Sequence, residues 1–287
     1  MFEFMNSWQF NLIAYLVSNV IFFQCYKIAV KEAKHDGAAT ILLQFIAGFS
    51  ILVLAPFFGF TLPQNPLIYG LLLLACIFYA ISDRLQTTVR KHLEVSVFSI
   101  LNQFLTVFLM IYGFTLFQEP FTITKVMGAI LILLGNMFLL HKDGKFTLNK
   151  YTILSIAASF ALATGISIDI GISENFNLPF YIMITLVIPA LFIAGIERIK
   201  PSNVIKEFDL VNGKHYIAAG CAWSLSILFA LRSFQLGEVS TVVPLQATAV
   251  LLNVIIASVL LKEHADIRKK VIAALLVISG VYITTLV

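Results

Sequence analysis

The chain breaks into apolar runs of about 20 residues, each long enough to cross a ~30 Å hydrocarbon core as a helix. Ten runs are predicted, near residues 8–29, 38–60, 67–88, 95–117, 122–141, 150–170, 178–196, 215–234, 239–261 and 266–286. Lipid offers no water to a backbone N–H or C=O, so only helices or a closed barrel can span it. Runs of this length select helices. Turn-forming residues mark the breaks: Pro63 and Pro66, Glu119-Pro120, Asp143-Gly144, Pro179 and Asn212-Gly213. Hydrophobic residues make up 60% of the chain and charged residues 12%, with mean hydropathy +0.95. A soluble domain carries about 25% charged residues. The expected fold is an all-α integral membrane protein with no soluble domain. The opening MFEFMNSW has no Lys or Arg, and no cleavage site follows the first run, so it reads as the start of helix 1.

Basic residues set the expected orientation. Of 19 Lys and Arg, 17 fall in the odd-numbered connections, among them Arg84, Arg90 and Lys91 after helix 3; Lys125 and Arg232 lie on the other side. Lys and Arg stay on the cytoplasmic face. The odd connections are therefore expected inside and both termini outside, in a multi-pass protein of the cell (plasma or inner) membrane. The net charge of +4 is small and flanks the membrane. That fits lipid headgroups and excludes nucleic acid as a partner.

A second constraint is internal. Glu94-Val95-Ser96 returns as Glu238-Val239-Ser240, Glu119 as Glu263 and Lys125 as Lys269, each pair 144 positions apart. A fixed offset is the signature of a structural repeat. Residues 1–143 and 144–287 are expected to be its two copies. Five helices per copy is odd, so the second copy enters the membrane inverted, and the basic loops shift with it. In carriers, an inverted repeat predicts a solute site between the halves.

Polar side chains within the membrane are costly and mark bundle interiors or wet cavities. Helix 1 carries Asn11, Tyr15, Ser18, Phe22 and Cys25 along one face, with Asn19 beside it. Gln44, Tyr79, Asn102, Gln103, Trp223, Gln246 and Asn253 follow on later helices. Asn102 and Gln246 are equivalent under the 144 offset, as are Tyr79 and Trp223. Taken singly, each amide could serve as interhelical glue. As a set, Tyr15, Asn19, Gln44, Tyr79, Asn102, Gln103, Trp223, Gln246 and Asn253 are expected to line a substrate site, with amides bonding the solute and aromatic faces stacking on it. Gly128 and Gly135, with Ala273 and Gly280, suit close packing of helices 5 and 10.

No carboxylate or His is expected in the middle of a helix. Asp83 and Asp169 are placed at helix ends, and the five His residues in or near loops. Cys25, Cys76 and Cys221 lack metal-site spacing and read as small apolar fillers. There are no HExxH or GxSxG motifs and no paired mid-membrane acids, so neither catalysis, a cofactor nor a metal is expected. Exchange or facilitated transport is then favoured, with Asp83 or Asp169 the reserve candidates for proton coupling.

The stretches LFQEPFTITKVMGAILILLGNMFL and VLLKEHADIRKKVIAALLVISGVYI resemble the EamA-type domain of the drug/metabolite transporter superfamily. The resemblance implies an inverted-repeat carrier of ten helices, with a central cavity lined by helices 1–4 and 6–9. Family substrates include amino acids, quaternary amines, nucleotide sugars and aromatic compounds. The family's cytoplasmic termini disagree with the charge count. Its helix 9 proline is present as Pro244, but the helix 4 counterpart is Ile100, which implies a freed carbonyl in only one half. The expected solute is an amino acid or amine-like compound. A flippase for a lipid-linked substrate and a non-transporting structural subunit remain as alternatives, and a homodimer is possible.

Overall fold

A computed structural model of the chain describes residues 7–59, 61–116, 122–142, 145–146, 149–208, 213–236, 239–262, 266–284 and 286. The helices are α1 (Trp8–Lys31), α2 (Asp36–Ile51), α3 (Pro66–His92), α4 (Val95–Leu101), α5 (Phe104–Thr115), α6 (Ile123–Leu140), α7 (Lys150–Ile172), α8 (Leu178–Ile196), α9 (Pro201–Glu207), α10 (Gly213–Leu236), α11 (Val239–Leu260) and α12 (Ile267–Thr284). Seven of the described helical stretches are long and apolar enough to span a membrane by themselves, and two shorter apolar stretches lie in α6 and α11. Glu119, Glu238, Glu263, Asp143-Gly144 and Asn212 lie outside the described residues.

Local chemistry starts these helices. Asn65 caps α3 by accepting from Leu67 N (3.0 Å), with Pro66 in the first turn. Asn149 accepts from Thr152 N (2.9 Å) at α7, and Asn177 from Phe180 N (3.1 Å) at α8. Each satisfies an N–H that the helix itself cannot.

The structure departs from the sequence expectations in four places. Helix 4 is not continuous: α4 and α5 are separated at Asn102-Gln103, where Gln103 N bonds Ile100 O and Thr106 N bonds Gln103 O, three residues back. This tighter winding replaces the i−4 ladder without a proline. Conversely, α11 runs unbroken through position 244. The far end of α2 tightens into a 3₁₀ turn over Leu52–Phe57 around Pro56. Additional elements occupy the loops: α9, and a two-residue hairpin pairing His141 with Phe146.

Packing is pairwise. α1 lies along α10, α3 along α7, α6 along α12, and α2 against both α8 and α10; α11 touches α1, α4 and α12. Buried aromatics cement the α1–α10 seam, with Phe22 stacked on Trp223 at 5.4 Å and 7°. The outside of the bundle is apolar. On α6, Ile123, Met127, Ile130, Leu134 and Met137 are all exposed at helical spacing. Surfaces like this are stable against acyl chains, not water, so the chain is a multi-pass membrane protein.

Candidate functional site

α3 runs four residues past its predicted end, and this recasts the charges on it. Asp83, Gln86, Thr87 and Arg90 fall at i, i+3, i+4 and i+7, a single stripe on one helix face. The stripe looks at α1, α2 and α10, enclosing a cavity of ≈ 10 Å³ that is also lined by Phe22, Tyr26, Thr40, Leu43 and Trp223. That is about the space one water needs. The expectation that Arg90 belongs to a loop is corrected, and Asp83, expected at the end of helix 3, is followed by further helix as far as His92. Arg90 is 4% exposed, Asp83 is 9% exposed, and both lie within α3.

The helix extends because its last turn is well satisfied. Arg90, Lys91 and His92 place cations at the negative end of the dipole. Lys27 Nζ donates to the terminal carbonyls of Arg90 (2.7 Å), Lys91 (3.2 Å) and Leu93 (2.7 Å).

Beside the cavity, Gln44 Nε2 donates to Asp83 Oδ2 at 2.8 Å. Thr87 Oγ1 shares bonds with Tyr26 OH (2.6 Å) and Thr40 Oγ1 (2.7 Å). The Arg90 guanidinium lies 4.7, 4.1, 5.8 and 4.2 Å from the rings of Phe22, Phe23, Tyr26 and Phe98. Each face can return roughly 0.5–2 kcal/mol of the lost hydration. Nη2 reaches Gln86 Oε1 at 3.4 Å, while buried Nε and Nη1 meet no acceptor among the described residues.

A second polar centre joins α3, α7 and α8. The phenols of Tyr79 and Tyr181 each donate to one oxygen of the Asp169 carboxylate. Gly165 makes this possible: a Cβ there would sit 2.8 Å from the Tyr79 ring.

The nine sequence-predicted lining residues are distributed over several places. Trp223 borders the α3 cavity, Gln44 bonds Asp83 beside it, and Tyr79 belongs to the Asp169 centre. Asn253 Nδ2 donates to Asn19 Oδ1 at 3.1 Å, and Gln24 Nε2 approaches Asn253 Oδ1 at 3.4 Å, joining α1 to α11. Gln246 Nε2 donates to Ser233 Oγ at 2.9 Å. Asn102 and Gln103 form the break in helix 4, with Gln103 Oε1 accepting from Thr106 at 3.4 Å. Tyr15 is half-buried on α1.

The two ends of the bundle differ. At the basic end, Arg84 pairs with Glu197 (2.6 Å), Lys91 with Asp36 (3.1 Å) and Lys270 with Glu94. There the buried Glu207 carboxylate accepts from the backbone N–H of Lys34 and His35, capping the approach to α2. At the opposite end a vestibule of ≈ 310 Å³ opens between Phe58, Gly59, Ser173, Glu174, Phe176, Leu178 and Arg232.

The membrane bundle and its buried polar centres meet their counterpart in the first half of the chain, where residues 3–141 match the model of the EamA-like transporter family. The match points to a membrane transporter of small molecules. No curated protein sequence matches the chain. Among solved structures, a protein crystal structure matches with TM-score 0.63 and 14% identity, over 95% of this chain and 96% of that one. That likeness concerns the fold, and it extends across both halves.

Sequence reasoning did not select Gln24, Gln86, Arg90 or Tyr181. For Gln86 and Arg90 the signal was present, as the spacing that links them to Asp83. Tyr181 meets Asp169 across two helices, and no periodicity joins them.

Proposed function

We propose that this EamA-type protein is a secondary, alternating-access transporter of a small organic metabolite, an amino acid or amine-like compound, working by exchange or facilitated transport. Residues 1–143 and 144–287 form inverted five-helix repeats, ten membrane helices in all, and both termini face outside. The observation that carries this reading is the pairing of helices. Under the 144 offset, α1, α2, α3, α4–α5 and α6 correspond to α7, α8, α10, α11 and α12. Exchanging the halves then turns α1–α10 into α7–α3, α2–α10 into α8–α3, and α1–α11 into α7 with α4–α5; α2–α8 and α6–α12 map onto themselves. All of these pairs are in contact. Tyr79 and Trp223, equivalent under the offset, each pack across such a seam, Tyr79 against Gly165 of α7 and Trp223 against Phe22 of α1.

Tyr15, Asn19, Gln44, Tyr79, Asn102, Gln103, Trp223, Gln246 and Asn253 are proposed to face the solute along its path. The closed basic end and the opposite vestibule suit one extreme of a rocking cycle. Alanine at Asn102 or Gln246 should lower uptake into proteoliposomes about tenfold, the equivalent of one lost hydrogen bond of ~1.4 kcal/mol. Membrane abundance should stay at the wild-type level. Wild-type uptake per molecule with reduced abundance would make these amides helix–helix contacts instead.

A further inference from the structure

We propose that Arg90, with Gln86 beside it and Trp223 and Phe22 opposite, is the subsite for a carboxylate group of the transported solute. The subsite rests on the reading of the chain as a solute carrier. Three observations converge on it.

First, the guanidinium is buried, and Nε and Nη1 face no acceptor among the described residues. Each of them shares an edge of the fork with Nη2, whose second N–H completes a pair that can meet the two oxygens of a carboxylate. Second, the group borders a cavity built from both halves: Phe22, Tyr26, Thr40 and Leu43 with α3 on one side, Trp223 on the other. Movement of one half against the other would widen or close it. Third, the repeat does not require an arginine here. The position 144 residues on is Phe234, and the counterpart of Asp83 is Ile227. Orientation by charge would be met equally well by a solvated loop arginine.

The surroundings narrow the anion further. Asp83 lies on the same face of α3, two turns away, with its carboxylate held by Gln44. A negative charge there disfavours a phosphate dianion and tolerates a singly charged or zwitterionic solute. The aromatic walls, Phe22 stacked on Trp223, provide an apolar surface for the remainder of the molecule.

The test uses full-length protein in detergent, with thermal unfolding followed in the presence of L-phenylalanine, L-leucine, L-threonine and the methyl ester of each. A ligand that binds only the folded state raises the apparent Tm by mass action. At least one free acid should raise it, and its ester should not. Arg90→Lys keeps the charge but loses the fork, and should weaken the effective acid about tenfold or more; Arg90→Gln should abolish its effect. Gln86→Leu, at the edge of the cavity, should weaken it a few fold. If the Arg90 variants do not run as single species on gel filtration, the acid–ester comparison on the wild-type protein decides the matter. Esters as effective as acids would overturn the proposal. So would no shift from any acid, or folded Arg90→Gln protein that still responds to the acid. Shifts from esters alone would remove the subsite while leaving the carrier reading intact, which proteoliposome transport tests separately.

Discussion

Gly280→Val is expected to lower the thermal stability of the purified protein more than any other single change at a helix crossing. A Cβ at Gly280 would lie 2.7 Å from Gly128 O and 2.9 Å from Ile132 N, both backbone atoms of α6. Gly135 approaches from the other side, where a Cβ would meet Ala273 O at 3.0 Å. Backbone cannot rotate away as a side chain does, so the two helices must separate along their contact. In lipid, separated apolar faces gain no hydrophobic penalty, and close packing is what holds such a pair together. A cost on the order of 3 kcal/mol follows, at the upper end for overpacking. Gly70→Val provides the control, since nothing lies within 4 Å of a Cβ there. Melting curves followed by gel filtration should show a large fall for Gly280→Val and little change for Gly70→Val. Equal curves would mean that α6 and α12 are not tightly joined.

Asn177→Ala should be nearly as damaging, for a different reason. Asn177 is 1% exposed and fastens the two halves together at the vestibule end. Its Oδ1 caps α8 through Phe180 N, while its Nδ2 donates toward the carbonyls of Ala55 (3.3 Å), Phe58 (3.0 Å) and Gly59 (3.0 Å). Its own N–H bonds Thr61 O at 3.1 Å. They lie at the end of the 3₁₀ turn after α2, where Ala55 O also accepts from Phe58 N at 3.2 Å. Alanine removes a cap worth about 1 kcal/mol and the donor shared by three partly buried or exposed carbonyls, at about 1–2 kcal/mol. A total near 3 kcal/mol is expected. Asn177→Ser, which keeps the capping oxygen but lacks the donor's reach, should cost about half as much by the same reasoning. If serine and alanine are equally mild, the bridge to α2 contributes nothing.

These two contacts mark the boundary of what the sequence reveals. The apolar runs locate α1, α3, α7, α8 and α10 closely, because length and hydropathy alone decide a membrane span. The small residues on α6 and α12 are equally legible, since only tight packing uses them at that spacing. The break at Asn102-Gln103 is not. Proline and glycine are the usual breakers, and neither is present, so no local signal announces the change from i−4 to i−3 bonding. The candidate site is half legible. Gln44 and Trp223 stand out as polar or amphipathic residues in apolar runs. Arg90 was hidden by a sound rule: basic residues near a span's end ordinarily mark the cytoplasmic loop. Its burial depends on Lys27 from α1 taking the carbonyls of α3's last turn, a contact between residues 63 and more positions apart. Asp169 was visible, but the two phenols that hold it come from different helices.

The central claim is that this membrane bundle carries a small solute across by alternating between its two ends. Solute counterflow tests it most directly. Proteoliposomes are loaded with an unlabelled mixture of amino acids and quaternary amines, then diluted into the same compounds carrying a radiolabel. The account predicts a transient overshoot of label inside, absent from protein-free liposomes and strongly reduced by Trp223→Ala. Label that enters no faster than into protein-free liposomes, with protein confirmed as folded and inserted, would contradict it.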